Sequence, residues 1–317
     1  MELSVTVVIP TFQRPPWLRQ AVASILRQDH PVERIIIIVR DTDAESLTTA
    51  RDLAKMAAIP IDISSVTEPG FIPPIEKAFG LIQTDVAIVL DDDAEAPESF
   101  VSRLLRHYED PTVGGVGGRC VNMNAGQPVP VATVARVGYL SFWGYPIGDM
   151  YKAPGFAEAR AVSFLLGGCC SYRREVTQSV KFDGRLNQGV AFGYEVDIGL
   201  QVLSKGWKLL FEPEAWVYHY SAPRALAGMR VRDDRTSVSS YAYNQMLIAA
   251  RRYPRLLLVK FVLYSVIVGE RRAPGILMAL VPFGRELGIA RKAFLPVLRA
   301  RARAIRDVYR ESDMVVS

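Results

Sequence analysis

The sequence predicts an α/β fold in which helices flank a mostly parallel sheet. Short aliphatic runs alternate with apolar-periodic helical stretches through the first hundred residues or so, and this spacing is typical of βαβ units. The runs are continuous rather than alternating in polarity, as expected for strands that helices cover on both faces. With 317 residues, 50% of them hydrophobic, the chain can form one large domain with an appendage.

The first half of the chain supplies the regular elements. Aliphatic and β-branched runs predict four strands, at Val5–Pro10, Ile35–Val39, Ile61–Ser65 and Val86–Leu90. Helical spacing, opened by a proline or a polar cap residue, predicts four helices, at Pro15–Gln28, Asp43–Ala57, Pro73–Ile82 and Pro97–Tyr108. The carboxyl ends of the four strands should therefore meet at one edge of the sheet.

The second half is less regular. Glycine-rich Val113–Val121 predicts a strand or a turn, and residues 122–160 read as a long, partly mobile loop. A helix is expected over Glu195–Lys205 and short strands over Leu209–Phe211 and Ala215–Tyr220. Helices dominate after about Val238. We therefore divide the chain into a body, residues 1–222, and a helical C-terminal extension, residues 223–317.

Charge is distributed unevenly between these parts. Residues 1–250 contain 24 Lys/Arg and 28 Asp/Glu, whereas residues 251–317 contain 14 and 5. Basic, apolar helices suit an anionic surface, which could be phospholipid headgroups or nucleic acid. We expect the C-terminal helices to meet an anionic membrane surface and expect no nucleic-acid partner. The alternatives are helices packed on the body, a solvated helical face, or a homodimer contact.

The ends and the cysteines indicate the compartment. The amino end lacks the basic and apolar regions of a signal peptide. The longest apolar run, Leu256–Gly269, is short for a membrane span and contains Lys260. Three cysteines, Cys120, Cys169 and Cys170, give no disulfide framework. We expect a cytoplasmic protein, peripheral on the inner face of the cell membrane.

Three consecutive aspartates follow the predicted strand Val86–Leu90. Adjacent carboxylates repel and raise each other's pKa, so a cation or hydroxyl donors should complete them. Asp91 and Asp93, as alternate residues, could share one Mg²⁺ or Mn²⁺ that bridges to a diphosphate. Asp92 would point elsewhere, for example to a ribose hydroxyl. The alternative is a solvated acidic turn.

Four further regions carry candidate chemistry. Glu195 and Asp197 open a helix, where Glu195 could act as general base for an acceptor hydroxyl while Asp197 caps or pairs. The alternative is that both are ordinary acids favoured by the helix dipole. His219 follows a short strand and could contact metal or phosphate, or be structural. Arg14 and Lys77 could face phosphate.

The order of several short motifs carries a family resemblance. The motifs are V-V-I-P-T-F-Q-R-P, I-I-I-I-V-R-D-T-D, V-L-D-D-D-A-E, L-L-G-G-C-C-S-Y-R-R-E-V, F-D-G-R-L, G-Y-E-V-D-I-G-L and V-Y-H. Over roughly residues 4–222 this order resembles family 2 glycosyltransferases with the GT-A fold. The resemblance implies a GT-A catalytic domain over residues 1–222. It also implies inverting sugar transfer from a nucleotide-diphosphate sugar with a divalent metal.

The resemblance also implies roles for single residues. The nucleotide pocket would be lined by Pro10, Thr11, Phe12 and Arg14, with Asp41 near the base or ribose. Asp91–Asp93 would be the D-x-D motif, with Asp93 the strongest candidate metal ligand, and His219 would lie near metal and diphosphate. Glu195 falls on the general-base position. Gly167–Cys169, centred on Gly168, and Arg173 match the segment that shapes the sugar pocket on the acceptor side.

The sequence departs from the family at several points. Arg40 stands where the family usually has an aspartate, one residue before Asp41, and Tyr194–Glu195 replaces the usual E-D pair. Gln201 replaces a common arginine. The segment Q-V-L-S-K-G-W lacks the Q-x-x-R-W of processive polysaccharide synthases, so we expect addition of a single sugar. The acceptor would be lipid-linked or a cell-envelope glycan.

Other function classes fit less well. A sugar nucleotidyltransferase usually has a glycine-rich, basic phosphate loop after its first strand, which P-T-F-Q-R-P-P lacks. A dehydrogenase is disfavoured because no G-x-G-x-x-G follows that strand. A non-catalytic nucleotide- or membrane-binding protein remains an alternative, and it would tolerate the loss of Glu195.

Overall fold

A computed structural model describes residues 3–152, 156–188, 192–222, 235–280 and 287–316 of the chain. Contacts divide the chain into two units that are discontinuous in sequence. The first comprises Met1–Tyr139, Ile147–Phe182 and Ile198–Ala225, and the second comprises Leu140–Pro146, Asp183–Asp197 and Leu226–Ser317. The functional division at residue 222 stays a proposal.

The described residues form strands and helices in the following order. The strands are β1 (Val5–Thr11), β2 (Arg34–Arg40), β3 (Ile61–Val66), β4 (Val86–Leu90), β5 (Ala94–Glu95), β6 (Val113–Asn124), β7 (Gln127–Pro128), β8 (Tyr139–Leu140), β9 (Pro146–Ile147), β10 (Arg160–Ala161), β11 (Cys169–Arg173), β12 (Lys208–His219), β13 (Gly269–Glu270) and β14 (Ala273–Pro274). The helices are α1 (Pro15–Ile25), α2 (Ala44–Met56), α3 (Ile72–Leu81), α4 (Phe100–Leu105), α5 (Arg174–Ser179), α6 (Tyr194–Ser204), α7 (Arg235–Arg252), α8 (Arg255–Ile267), α9 (Ile276–Leu280) and α10 (Leu287–Val316).

The first unit is built on one large sheet. Its order is β10-β12-β6-β11-β4-β1-β2-β3, with β5 on β12 and β7 on β6. The strands β4, β1, β2 and β3 run parallel, as do β6 and β12, while β11 is antiparallel to both of its neighbours. The predicted mostly parallel α/β sheet is confirmed.

The aliphatic runs form strands because both of their faces are buried. Ile35 and Ile37 of β2 belong to the larger apolar core, whereas Ile36 and Ile38 pack in a second cluster on the other face. Burying such side chains contributes about 1.5–3 kcal/mol each. Asp43 begins α2 as predicted, since its carboxylate accepts the Ser46 N–H at 3.0 Å.

Several element boundaries differ from the sequence predictions, and α1, for example, ends at Ile25 rather than Gln28. Helix α4 begins at Phe100, not Pro97, and ends in a 3₁₀ turn over Arg106–Glu109. Strand β6 continues into the predicted loop as far as Asn124. Strand β12 is continuous over the two predicted strands, with an irregular register against β6 between Phe211 and Trp216. Adjacent strands supply backbone partners that local sequence does not reveal.

The irregular part of β12 holds a buried carboxylate. The side chain of Glu212 is fully buried and binds Arg106 Nη2 at 2.6 Å and the ring of His107. Burial by itself would raise the pKa of Glu212, but the hydrogen bonds from His107 and Arg106 lower it to about 2. Glu212 therefore ties β12 to the turn after α4.

We expect Glu212→Gln to lower the free energy of unfolding by about 2 kcal/mol at neutral pH, because charge-assisted bonds to a buried group are lost. A lowered folded-state pKa contributes stability above the unfolded value of 4.5, and that contribution is lost as pH falls towards about 2. Urea unfolding should therefore show that the free energies of unfolding of the parent protein and Glu212→Gln become more similar as the pH is lowered. Half-exposed Glu214 gives the control Glu214→Gln, which should cost less than about 1 kcal/mol. Equal losses of unfolding free energy in the two variants would contradict the proposed stabilising role of the buried Glu212 carboxylate.

The second unit is helical and packs part of the basic C-terminal extension inward. Arg301 of α10 is buried, and its guanidinium donates to the carbonyl oxygens of Ser265 and Ala273. Tyr243 of α7 donates to Asp307 at 2.7 Å. One face of α10 is thus part of this unit's interior. No helix among the described residues is long and apolar enough to cross a membrane.

Candidate active site

The three aspartates after β4 do not share one environment. Asp92 is buried, and its two oxygens accept hydrogen bonds from Thr11 Oγ1 at 2.7 Å and from Arg14 Nη1 at 2.8 Å. Burial raises the pKa of Asp92 to about 6, although the Arg14 and Thr11 contacts oppose the shift. The sequence suggested a ribose hydroxyl as its partner; in the structure the protein itself engages both oxygens.

Asp91, Asp93 and His219 come together at the carboxyl end of β4. His219 Nε2 lies 3.4 Å from Asp93 Oδ1 and 3.9 Å from Asp91 Oδ2. One ligand atom from each residue lies within 4.8 Å of the other two. The pairing of β5 with β12 brings them together, since it sets His219 opposite Ala94, directly after Asp93.

Arg14 supplies the positive charge that the adjacent carboxylates need. Its Nη1 also lies 3.0 Å from Asp93 Oδ2, and its Nη2 donates to the Ala222 carbonyl oxygen at 2.8 Å. The Ala222 N–H donates to Asp93 at 2.9 Å. Burial by itself would raise the pKa of Asp93, but His219, Arg14 and Ala222 together lower it to about 2. The carboxylate of Asp93 is therefore held ionised.

The cluster has the donor set of a divalent-cation site. Two carboxylates and an imidazole are ligands that Mn²⁺ accepts, and the carboxylates also suit Mg²⁺. The side chain of Asp91 is 43% exposed whereas that of Asp93 is 3% exposed. The site therefore has a buried anchor and a side open to a ligand, so the residues present fit a bound cation.

Two polar residues of β6, the strand that pairs with β12, were not anticipated from the sequence. Asn122 Oδ1 lies 3.1 Å from His219 Nδ1 and orients the imidazole. Arg119, three residues earlier on β6 and in register with Trp216, has a buried Nε with no hydrogen-bond partner among the described residues. Asn122 lies just beyond the segment Val113–Val121, which was predicted as a strand or a turn, so a polar residue in the continuation of the strand was the missed signal.

Gly168 lies against Asp91. Its carbonyl oxygen accepts the Asp91 N–H at 3.2 Å. A Cβ at this position would lie 2.0 Å from Asp91 Oδ2 and 2.1 Å from its Cγ. Since this carboxylate is partly exposed, it could rotate away at little cost to the fold. The absence of a side chain at Gly168 therefore permits the observed position of a candidate metal ligand.

We expect Gly168→Ala to stay folded but to weaken Mn²⁺-dependent nucleotide binding by about tenfold, the usual scale for disturbing a ligand's support. Calorimetric titration with nucleotide and metal measures the effect. Gly80→Ala is the matched control, because a Cβ there meets nothing within 4 Å. Unchanged affinity in Gly168→Ala would show that the position of Asp91 does not matter.

The candidate nucleotide residues lie at the same edge of the sheet. Pro10 and Thr11 end β1, Phe12 follows, and the parallel partner β2 leads into Asp41. The Arg40 guanidinium lies 5.9 Å from the centre of the Phe12 ring, and Arg40 Nε lies 3.7 Å from Asp41 Oδ1. Arg40 and Asp41 are thus neighbours, and their roles toward a base remain predictions.

Two predicted residues are engaged elsewhere. Lys77 Nζ donates to the Ser65 carbonyl oxygen at 2.6 Å, at the end of the edge strand β3. Arg173 pairs with Val86, at the opposite end of β4 from the aspartates, and donates to the carbonyl oxygens of Val113, Tyr108 and Asp110. The structure does not bring Arg173 to the cluster, and we leave it out of the proposed site; the role of Lys77, beside the carboxyl end of β3, stays a prediction.

Glu195 and Asp197 belong to the second unit. The Asp197 carboxylate binds Arg252 of α7 through two contacts, at 2.6 and 3.2 Å. Its backbone N–H donates to the Gly193 carbonyl oxygen. Asp197 therefore pairs within its own unit, which is the arrangement expected if Glu195 is the base. The position of Glu195 relative to the aspartates stays a prediction.

The sequence is similar to proteins of known class. The family model described as "Glycosyltransferase like family 2" matches residues 3–238. A "Type 2 glycosyltransferase" of Gibberella zeae is 31% identical over 116 residues, 36% of this chain and 21% of that protein. The "O-antigen chain rhamnosyltransferase RfbN" of Salmonella typhimurium is 20% identical over 223 residues, 68% of this chain. The chain matches 66% of the latter's length, just under two thirds.

The fold is similar to that of solved glycosyltransferases. A mannosyltransferase from Pyrobaculum calidifontis, determined in complex with GDP-Man and Mn²⁺, aligns with a TM-score of 0.57 and 15% identity. The alignment covers 100% of this chain and 81% of that one. At this identity the likeness establishes the GT-A fold.

Proposed function

This chain belongs to glycosyltransferase family 2, and we propose that it is an inverting, metal-dependent enzyme that moves a single sugar. The donor would be a nucleotide-diphosphate sugar and the acceptor nucleophile a hydroxyl group. The observation that supports this most is the convergence of Asp91, Asp93 and His219 at the carboxyl edge of the sheet. Ligands bind at this edge in open α/β sheets.

Each residue has a proposed part in the reaction. Asp91, Asp93 and His219 would hold the divalent cation, which when bound supplies positive charge opposite the departing diphosphate. Arg14 keeps the buried carboxylates in place. Glu195 takes the proton from the acceptor hydroxyl, whose oxygen forms a bond to the anomeric carbon as the bond to diphosphate breaks on the other face. The configuration at the anomeric carbon is therefore inverted.

We propose that the acceptor is lipid-linked or a cell-envelope glycan. Support comes from the relative named for O-antigen chain rhamnosyl transfer and from the apolar, basic C-terminal helices, which suit the inner face of an anionic membrane. The absence of Q-x-x-R-W favours one sugar per cycle. A homodimer contact through these helices is the competing explanation of their surface.

Calorimetric titration with UDP, GDP and dTDP, with and without Mn²⁺, tests the proposal. We expect one of the three to bind, and to bind much more tightly with the metal, because a cation held by Asp91, Asp93 and His219 would offset the negative charge of the diphosphate. That result would also identify the donor class. Failure of every diphosphate to bind would contradict the transferase assignment.

A further inference from the structure

Helix α8 turns an apolar stripe outward. Leu256, Val259, Leu263 and Ile267 follow the spacing i, i+3, i+7 and i+11, which places them on one face of a helix. They are 70%, 54%, 54% and 46% exposed. Phe261 and Ser265 occupy the opposite, buried face. In a soluble protein the apolar face of a helix is normally the buried one. An exposed apolar stripe of this length therefore indicates a binding partner.

The tip of the β8–β9 hairpin extends the stripe. Phe142 and Trp143 are 67% and 41% exposed. Trp143 stacks on Tyr264 of α8 with ring centres 4.9 Å apart, and Lys260 Nζ lies 3.9 Å from the centre of the Phe142 ring. The hairpin tip and the helix stripe together form what we call the apolar patch: Phe142, Trp143, Leu256, Val259, Leu263 and Ile267.

The patch is set among positive charges. Residues 251–280 contain six cationic side chains and a single acid, Glu270. Of the six cations, Arg251 and Arg252 pair with Asp183 and Asp197, which leaves four against one acid. Arg255, Arg271 and Arg272 are exposed. Two copies of such a surface would repel each other, whereas anionic headgroups would be attracted.

We propose that the apolar patch inserts into the interfacial layer of an anionic lipid bilayer and holds α8 parallel to it. The idea rests on the proposed function, because a lipid-linked acceptor lies in such a layer. Helix α8 has 13 residues, about 20 Å at 1.5 Å per residue, which suits a helix lying in the interface. Lys260 can extend its ammonium group to the headgroups while Phe142 packs under it.

The apolar patch places membrane binding on α8 rather than on the C-terminal extension as a whole. The sequence assigns the membrane surface to the C-terminal helices as a group, yet α10 buries Val297, Arg301 and Ala304 in its own unit. Helix α8 presents apolar side chains and cations on its accessible side instead. Membrane binding should therefore depend on the exposed residues Leu256 and Leu263 as well as on the cationic side chains.

Vesicle sedimentation of the full chain tests the proposal. With mixed phosphatidylcholine–phosphatidylglycerol vesicles, Leu256→Gln and Leu263→Gln should each weaken binding about tenfold, because glutamine keeps the helix but removes most of the apolar transfer. Arg255→Gln should weaken binding to these vesicles about fivefold and leave binding to pure phosphatidylcholine unchanged. Met56→Gln, at an 81% exposed apolar site of the first unit, should leave binding to both kinds of vesicle unchanged.

Two results would overturn the proposal. One is vesicle binding that is absent in the parent protein, or unchanged in a variant that carries both Leu256→Gln and Leu263→Gln. The other is light scattering that shows a dimer in the parent and a monomer in that variant, which would make the patch a contact between copies. Because sedimentation does not require turnover, and nucleotide titration does not require vesicles, failure of the patch leaves the transferase proposal standing.

Discussion

Replacing Glu195 by glutamine is expected to lower the rate of sugar transfer by about a thousandfold, within the range that a general base contributes. Glutamine has nearly the same size but cannot take the proton from the acceptor hydroxyl. Titration with the donor nucleotide and Mn²⁺ should give an unchanged affinity, since Glu195 is proposed to act only on the acceptor. The combination of lost turnover and kept binding is the specific result.

The chain offers a matched control for this substitution. Glu175 is the second residue of α5, as Glu195 is the second residue of α6, and Glu175 is exposed in the first unit. Both acids favour the positive end of their helix dipole, so Glu175→Gln reports the loss of that effect alone. If the two variants transfer sugar equally well, Glu195 is an ordinary helix-terminal acid, and a non-catalytic binding function gains support.

The second large effect is expected at Asp93. Asp93→Ala should remove metal-dependent nucleotide binding, because this buried carboxylate is the anchor of the proposed cation site. It should also lower the free energy of unfolding by about 1–3 kcal/mol, since the Ala222 N–H loses its acceptor. Asp93→Asn can keep that hydrogen bond while losing the charge, so it separates the metal role from stability.

Asp85 provides the comparison at the other end of β4. It precedes β4, and its carboxylate accepts from the Ser4 backbone N–H and hydroxyl. Asp85→Asn therefore also alters a hydrogen-bonded carboxylate, but at the opposite end of the strand from the cluster. Its Mn²⁺-dependent affinity should match that of the parent protein. Retained metal dependence in Asp93→Asn would place the cation on other ligands.

The sheet could be predicted because its strands have an unambiguous signature. Ile35–Val39 is aliphatic at every position, and nothing but burial on both faces explains such a run. Strand β6 was harder to predict, since Asn122 and Asn124 are polar and are held in the sheet by pairing with His219 of β12 and Gln127 of β7. The continuity of β12 was missed for a similar reason: Glu212 is polar, but Arg106 and His107 compensate its burial.

The candidate site could be predicted in part. Motif order was enough to select Asp91, Asp93 and His219, although the sheet pairing that joins them connects residues more than a hundred positions apart. The alternation of side chains separated Asp92 from its neighbours, but the sequence did not reveal that its partner is Arg14 of another segment. Arg173 was selected by its neighbourhood in the sequence, but antiparallel β11 carries it away from the cluster.

The bond between Arg14 and the aspartates has a consequence for protein engineering. The acidic stretch is not a portable module, because the cation that balances its buried charge is encoded about eighty positions earlier, beyond β1. A graft of D-D-D onto another scaffold would leave the middle carboxylate buried without its guanidinium, and it would then take up a proton or drive the loop open. Transplanting this centre therefore requires both segments, in the relative geometry that the sheet provides.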